Sequence, residues 1–199
     1  MDSPDFLEAL NRHRNGAPVI VGAGRRGREL RTIAGDDPLV LYSMDMPYAT
    51  PICLGLARTL GDTKVVALEG DGNVLAGLCE LSTIGRYQPA NLVVVVCDNQ
   101  SYGSFGTGAV TTATSAGVDL AGVARACGIA NAHTVRDLAE AEEVLRRAFS
   151  EPGPWVIVAK VSNTGDTDAR FWISPPDVVE NGFTFQRALR AARASRDAN

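Results

Sequence analysis

Six short apolar runs separated by helix-length segments predict an α/β protein. The expected form is a three-layer doubly wound sheet of about six mainly parallel strands. Two further observations agree. Runs such as Leu92-Val93-Val94-Val95-Val96 do not alternate between apolar and polar, the pattern of strands covered by helices on both faces. Oxygen-donor side chains also sit beside glycines where two of the runs end, at Glu69-Gly70-Asp71-Gly72-Asn73 and Cys97-Asp98-Asn99-Gln100-Ser101-Tyr102-Gly103. Open α/β sheets bind ligands at the carboxyl ends of their strands.

In chain order, Ala17–Val21 reads as the first strand and Leu39–Ser43 as the second, with a glycine turn and a polar segment between them. Ala49–Leu60 has helical character, Val65–Leu68 is a strand, and Val74–Arg86 is a helix leading to the strand Leu92–Cys97. Ser101–Gly117, rich in Gly, Ser and Thr, is a long loop at the carboxyl edge, a type that is commonly functional or mobile. Leu120–Cys127 and Leu138–Phe149 read as helices, the latter with Asp137 placed as its N-cap, around strands Ile129–Thr134 and Val156–Val161. Ser162–Pro176 is polar coil containing Arg170-Phe171-Trp172-Ile173, whose aromatic pair suits either a partner contact or a cover for the sheet. A helix from about Pro176 to Arg193 closes the chain. The 199 residues are expected to form one domain, with a core over about 17–161 and a C-terminal coil and helix over 162–199.

An apolar content of 45% suits a globular protein. The net charge of −4, from 19 basic and 23 acidic residues, argues against a broad nucleic-acid or membrane surface. Cys53, Cys79, Cys97 and Cys127 form no CxxC pair and lie in apolar runs, as reduced core cysteines of a cytoplasmic protein do. The N-terminus lacks the basic and apolar regions of a signal peptide. No apolar stretch reaches the roughly 20 residues of a membrane helix.

Two ligand readings compete. Gly22-Ala23-Gly24-Arg25-Arg26-Gly27 is a GxGxxG directly after a strand, and Asp45 follows near the end of the next, as in an NAD-binding oxidoreductase. The helix after it is short and polar, however, with only Leu30 and Ile33 to pack on a sheet. A glycine turn with basic residues on a solvated face is the plain alternative for the arginines, and a nicotinamide site gives no account of Asp71 and Asn99. The second reading uses Asp71 and Asn99, 28 positions apart at the ends of strands expected to be neighbours. Magnesium prefers oxygen ligands and commonly joins one or two protein groups to substrate phosphates. Asp71 offers an anionic oxygen, Asn99 an amide oxygen, and the Ser101 carbonyl a third, with a diphosphate and water completing the shell. Gly70 and Gly72 would let backbone N–H groups approach phosphate, at the N-terminal end of a helix starting near Asn73. Each turn alone is an ordinary Asp-Gly or Asp-Asn turn, and the specificity lies in the combination.

At these residues the chain resembles the thiamine-diphosphate-dependent enzymes. Gly70-Asp71-Gly72, 26 intervening residues and Asn99 match their cofactor signature. The stretches Asp98–Ser104, Val118-Asp119-Leu120-Ala121 and Ala126-Cys127-Gly128-Ile129 are similar to sulfopyruvate and phosphonopyruvate decarboxylases, with the likeness running from about Pro18 to Val161. The resemblance implies thiamine diphosphate and Mg²⁺ as cofactors, with Asp71, Asn99 and the Ser101 carbonyl as metal ligands. Gly24, Gly70, Gly72, Asn73, Tyr102 and Gly103 would lie around the diphosphate. Met46, otherwise a core methionine, falls where the family wedges an apolar residue beneath the cofactor.

It further implies a 2-oxo acid decarboxylase or carboligase, a lyase reaction in which loss of CO₂ yields an aldehyde or a new carbon–carbon bond. The glutamate that activates the cofactor's aminopyrimidine belongs, in this family, to a separate pyrimidine-binding domain. That domain needs on the order of 150 further residues, and Met1 reads as a natural start. The chain is therefore expected to be one subunit of a heteromer, α2β2 or larger, whose partner subunit supplies that glutamate and leaves no catalytic side chain to this chain. A non-catalytic regulatory partner of such an enzyme is the alternative within the fold. Two departures bear on substrate. Met44-Asp45-Met46-Pro47 replaces the family's Gly-Ser-Met-Gly, and an inward Asp45 would disfavour a sulfonate or phosphonate. Phe105-Gly106-Thr107-Gly108-Ala109-Val110-Thr111 replaces a loop that carries a glutamine in the family. His13 and His133 match no catalytic position and suit surface or strand-end roles.

Overall fold

In the computed structural model, residues 1–42, 45–102, 110–162, 173 and 176–197 are described, with side chains as far as Ala194. Six strands form one sheet: β1 Val19–Val21, β2 Val40–Tyr42, β3 Val65–Gly70, β4 Leu92–Asp98, β5 Asn131–Val135 and β6 Trp155–Lys160. Every pairing is parallel and the order is β2-β1-β3-β4-β6-β5. Helices cover both faces, so the three-layer architecture read from the unbroken valine runs is the one observed.

Because successive strand residues point to opposite faces, β4 divides its side chains between two cores. Val93 and Val95 join Phe6, Leu10, Trp155 and Ile157 on one side; Val94 and Val96 join Ile20, Cys53, Ile84 and Leu120 on the other. The first face carries α1 Ser3–His13, α2 Arg25–Ala34 and α7 Leu138–Ser150. The second carries α3 Ala49–Ala57, α5 Glu80–Tyr87 and α6 Leu120–Ala126. Asp137 caps α7 as predicted: its Oδ1 accepts from the Glu140 N–H at 2.9 Å, and Glu140 reaches back to the Arg136 N–H at 2.8 Å.

The structure corrects several sequence expectations. Helix α1 was not foreseen, although Pro4 in its first turn and the buried Phe6, Leu7 and Leu10 are its signals. Helix α2, expected to pack only through Leu30 and Ile33, also buries Arg26 and Glu29, which pair at 2.7 Å and share Ser3 of α1. The single helix expected over 74–86 is two, α4 Asp71–Ala76 and α5. Three successive i→i+3 hydrogen bonds turn the chain between them at Gly77–Cys79. Of the cysteines assigned to the core, Cys53 and Cys97 are buried, Cys127 is partly buried and Cys79 is exposed.

Strand β2 lies at the sheet edge, and α8 Val178–Asp197 closes it. The Asn181 amide accepts from the Tyr42 N–H at 2.9 Å and donates to the Val40 carbonyl at 3.0 Å, in place of a seventh strand. Among the described residues no helix is long and apolar enough to cross a membrane. The aromatic pair Phe171-Trp172 lies outside the described residues.

Candidate cofactor and metal site

The chain leaves β1 towards β2 on one side and returns to β3 on the other, so a topological switch point lies between β1 and β3. Ligands of doubly wound sheets bind outside the carboxyl ends of strands at such a point. The Gly22–Gly24 turn follows β1 there, and Gly70-Asp71-Gly72-Asn73 follows β3. Strand β4 pairs with β3 through to Gly70↔Cys97, which sets Asp98 and Asn99 beside the Asp71 turn.

Asp71 begins α4 and is 1% exposed. Its Oδ2 accepts from the Thr112 hydroxyl at 2.5 Å and the Thr114 hydroxyl at 3.0 Å. Thr114 Oγ1 also lies 2.8 Å from Asp98 Oδ1, and the other Asp98 oxygen pairs with Lys160. Burial raises the Asp71 carboxyl above its ordinary value; the Thr112 bond opposes this, and the Asp98 charge adds to it. The site is thus a desolvated carboxylate, with one oxygen held by hydroxyls and no ion-pair partner among the described residues. A hard divalent cation suits such a donor. Among the described residues, no group of three or more His, Cys, Asp or Glu could hold a metal alone.

Chain folding after β4 delivers the threonines. Gln100 adopts a left-handed turn (φ 62°), its N–H donating to Asp98 Oδ1 at 3.1 Å, while Asn99 Oδ1 accepts from the Ser101 N–H at 3.2 Å. Ser101 then bridges antiparallel to Thr111, with Tyr102 N–H to Val110 O at 2.8 Å and Thr112 N–H to Gln100 O at 3.1 Å. Thr112 and Thr114 reach Asp71 only through this return. Sequence spacing gave no sign of it, and both residues were missed.

The structure therefore brings Asp71, Gly72, Asn73, Asn99, Ser101 and Tyr102 to adjoining turns. Gly24 is at the neighbouring β1 end, where φ of 119° favours glycine. The space beside Gly70 is open, whereas that beside Gly72 is filled by the Tyr102 ring, so this glycine serves ring packing. Helix α4 has six residues, little more than one and a half turns, and its dipole is correspondingly small. Met46 and Asp45 precede α3, both exposed. Gly103, and 105–109 of the altered loop, lie outside the described residues. His13 binds Glu142 on the surface at 2.5 Å and His133 stacks on Trp155, so neither is in the site.

Glu69 also comes into view only in three dimensions. It is 1% exposed, and burial pushes its carboxyl up to about 7 against hydrogen bonds from Asn73 and Thr50. A Cβ on Gly22 would occupy the space of its Oε2. The first glycine of the GxGxxG is therefore required by this carboxylate.

Residues 36–159 match the family described as thiamine pyrophosphate enzyme, C-terminal TPP binding domain. The chain belongs to that family. It is 36% identical over 172 residues to sulfopyruvate decarboxylase subunit beta of Methanocaldococcus jannaschii, covering 86% of this chain and 88% of that subunit. It is also 36% identical over 141 residues to phosphonopyruvate decarboxylase of Streptomyces viridochromogenes. That match covers 71% of this chain but 34% of the longer enzyme. Among solved structures, benzoylformate decarboxylase from Polynucleobacter necessarius superposes with a TM-score of 0.65 at 18% identity, over 81% of this chain and 33% of that one. The last likeness supports the fold. Family membership makes this a thiamine-pyrophosphate-binding domain, and the NAD reading of Gly22–Gly27 is not taken further.

Proposed function

We propose that this chain is the thiamine-diphosphate- and magnesium-binding subunit of a split 2-oxo acid decarboxylase. A partner subunit would carry the pyrimidine-binding domain and its activating glutamate. The observation that carries this is the match along 88% of a decarboxylase subunit beta, with the buried Asp71 at the switch point of the sheet. Asp71, the Asn99 amide oxygen and the Ser101 carbonyl would hold Mg²⁺, and Thr112 and Thr114 would fix the Asp71 carboxylate for it. The open space at Gly70 leaves room for the diphosphate, which Gly24, Gly72, Asn73 and Tyr102 would border. Bound thiamine diphosphate supplies the electron sink for loss of CO₂ from a 2-oxo acid. This chain's residues would bind and orient it, and Met46, 37% exposed, would offer it an apolar surface.

The test is to isolate the complex formed by the tagged full chain in its native host. It is then assayed with pyruvate, sulfopyruvate and phosphonopyruvate in the presence of Mg²⁺ and thiamine diphosphate. CO₂ release by a complex with a second, glutamate-bearing subunit is expected, and Asp71→Ala should abolish it. Aldehyde among the products would mark simple decarboxylation; a longer carbon chain would mark carboligation. A chain that purifies without partner and releases no CO₂ would refute the proposal.

A further inference from the structure

The Glu69 carboxylate ties together three chain segments that border the site. Its Oε1 accepts from the Thr50 N–H at 3.0 Å and the Thr50 hydroxyl at 3.2 Å. Thr50 is the second residue of α3, whose N-cap Tyr48 makes no side-chain capping bond, so Glu69 at the end of β3 satisfies an otherwise orphaned N–H of the helix packed on that strand. Its Oε2 accepts from Asn73 Nδ2 at 2.9 Å, and the second hydrogen of that amide goes to the Ala23 carbonyl at 3.0 Å. One carboxylate thus couples the start of α3 behind Met46-Pro47, the Asp71–Asn73 turn and the loop before Gly24. Gly22 makes the coupling possible, because a Cβ there would displace both Oε2 and the Asn73 amide.

We infer that Glu69 is a positioning residue for the cofactor, holding the β1 loop, the Gly70–Asn73 turn and the α3 N-terminus in one fixed arrangement through Asn73 and Thr50. This rests on the function proposed above. The arrangement is directional. Asn73 cannot turn its amide over, since its oxygen would then face the Ala23 carbonyl. A glutamine at 69 would keep the acceptor for Thr50 but present a second N–H₂ to Asn73.

Glu69→Gln therefore separates positioning from charge. It adds no negative charge beside the diphosphate site, so by electrostatics alone binding of an anionic cofactor would be unchanged or tighter. Loss of positioning would weaken it. The measurement is titration calorimetry of thiamine diphosphate at saturating Mg²⁺ on the full chain in complex with its partner subunit, alongside the melting temperature without cofactor. Glu69→Gln and Asn73→Ala should each raise Kd about tenfold or more, and the double variant no further than the weaker single one, since both break one relay. Gly22→Ala should do the same if Glu69→Gln fails to fold. Gly55→Ala, at an exposed position of α3 with open space around it, should bind as the wild type does. Unchanged or tighter binding by Glu69→Gln would overturn the inference, as would additive losses in the double variant. Absence of binding in the wild-type complex would overturn the proposed function and this inference with it.

Discussion

Thr114 carries one hydroxyl proton and faces two buried carboxylates. It is 3% exposed, with Oγ1 2.8 Å from Asp98 Oδ1, 3.0 Å from Asp71 Oδ2 and 2.8 Å from the Thr112 hydroxyl. Thr114→Val keeps the volume and removes the hydroxyl. Asp98 retains Lys160 and Asp71 retains Thr112, so neither carboxylate is stripped of partners. One hydrogen bond to a charged group is nevertheless lost, worth about 1.5–3 kcal/mol, and a desolvated oxygen beside an apolar methyl adds to it. A net loss of about 2–4 kcal/mol follows, which for a domain of this size lowers the melting temperature by roughly 5–12 °C. Thr114→Ser, which keeps the hydroxyl and drops a methyl, should recover most of the difference. Thermal unfolding of the full chain, followed by circular dichroism, is the assay. A Thr114→Val protein melting within a degree of the wild type, or a serine variant no better than the valine, would refute the reasoning.

Three other expectations concern the scaffold. Asn91 Nδ2 lies 2.7–2.9 Å from the carbonyls of Ala57, Gly61 and Thr63, so Asn91→Ala should cost about 2–4 kcal/mol, read from a urea midpoint. Asn181→Ala removes both bonds to the edge strand; about 1–3 kcal/mol should be lost, and hydrogen exchange should accelerate at the Tyr42 amide. His133 is held below its ordinary value by burial and by Arg147 and Arg125. The unfolded chain therefore takes up a proton that the folded one resists. Its contribution is complete above about pH 6.5 and is lost as pH falls below that value, so His133→Phe should flatten the acid side of the stability profile, measured by urea unfolding between pH 5 and 7.5.

The layers of the fold were legible because unbroken valine runs have few other uses than strands buried on both faces. The placing of Asp71 and Asn99 at adjoining strand ends was legible because glycines there mark where strands give way to turns. What escaped was set by tertiary return of the chain. Thr112 and Thr114 reach Asp71 through a bridge after a left-handed Gln100, and no periodicity encodes that. Glu69 read only as the first residue of the motif after the Val65–Leu68 strand, and Gly22 as part of a dinucleotide or plain glycine turn; only their juxtaposition gives either its role. Helix α1 carried its signals openly in Pro4, Phe6, Leu7 and Leu10. The α4–α5 break did not, since its apolar pattern continues across Gly77.

The most direct test of the central claim is Mg²⁺-dependent binding of thiamine diphosphate to the complex of this chain with the proposed partner subunit, compared between wild type and Asp71→Ala. Saturable binding in the wild type that needs Mg²⁺, and its loss with Asp71→Ala while the fold is retained by circular dichroism, is the predicted result. Equal binding by both proteins, or binding indifferent to Mg²⁺, would contradict the assignment of Asp71 as the anchor of the metal and diphosphate.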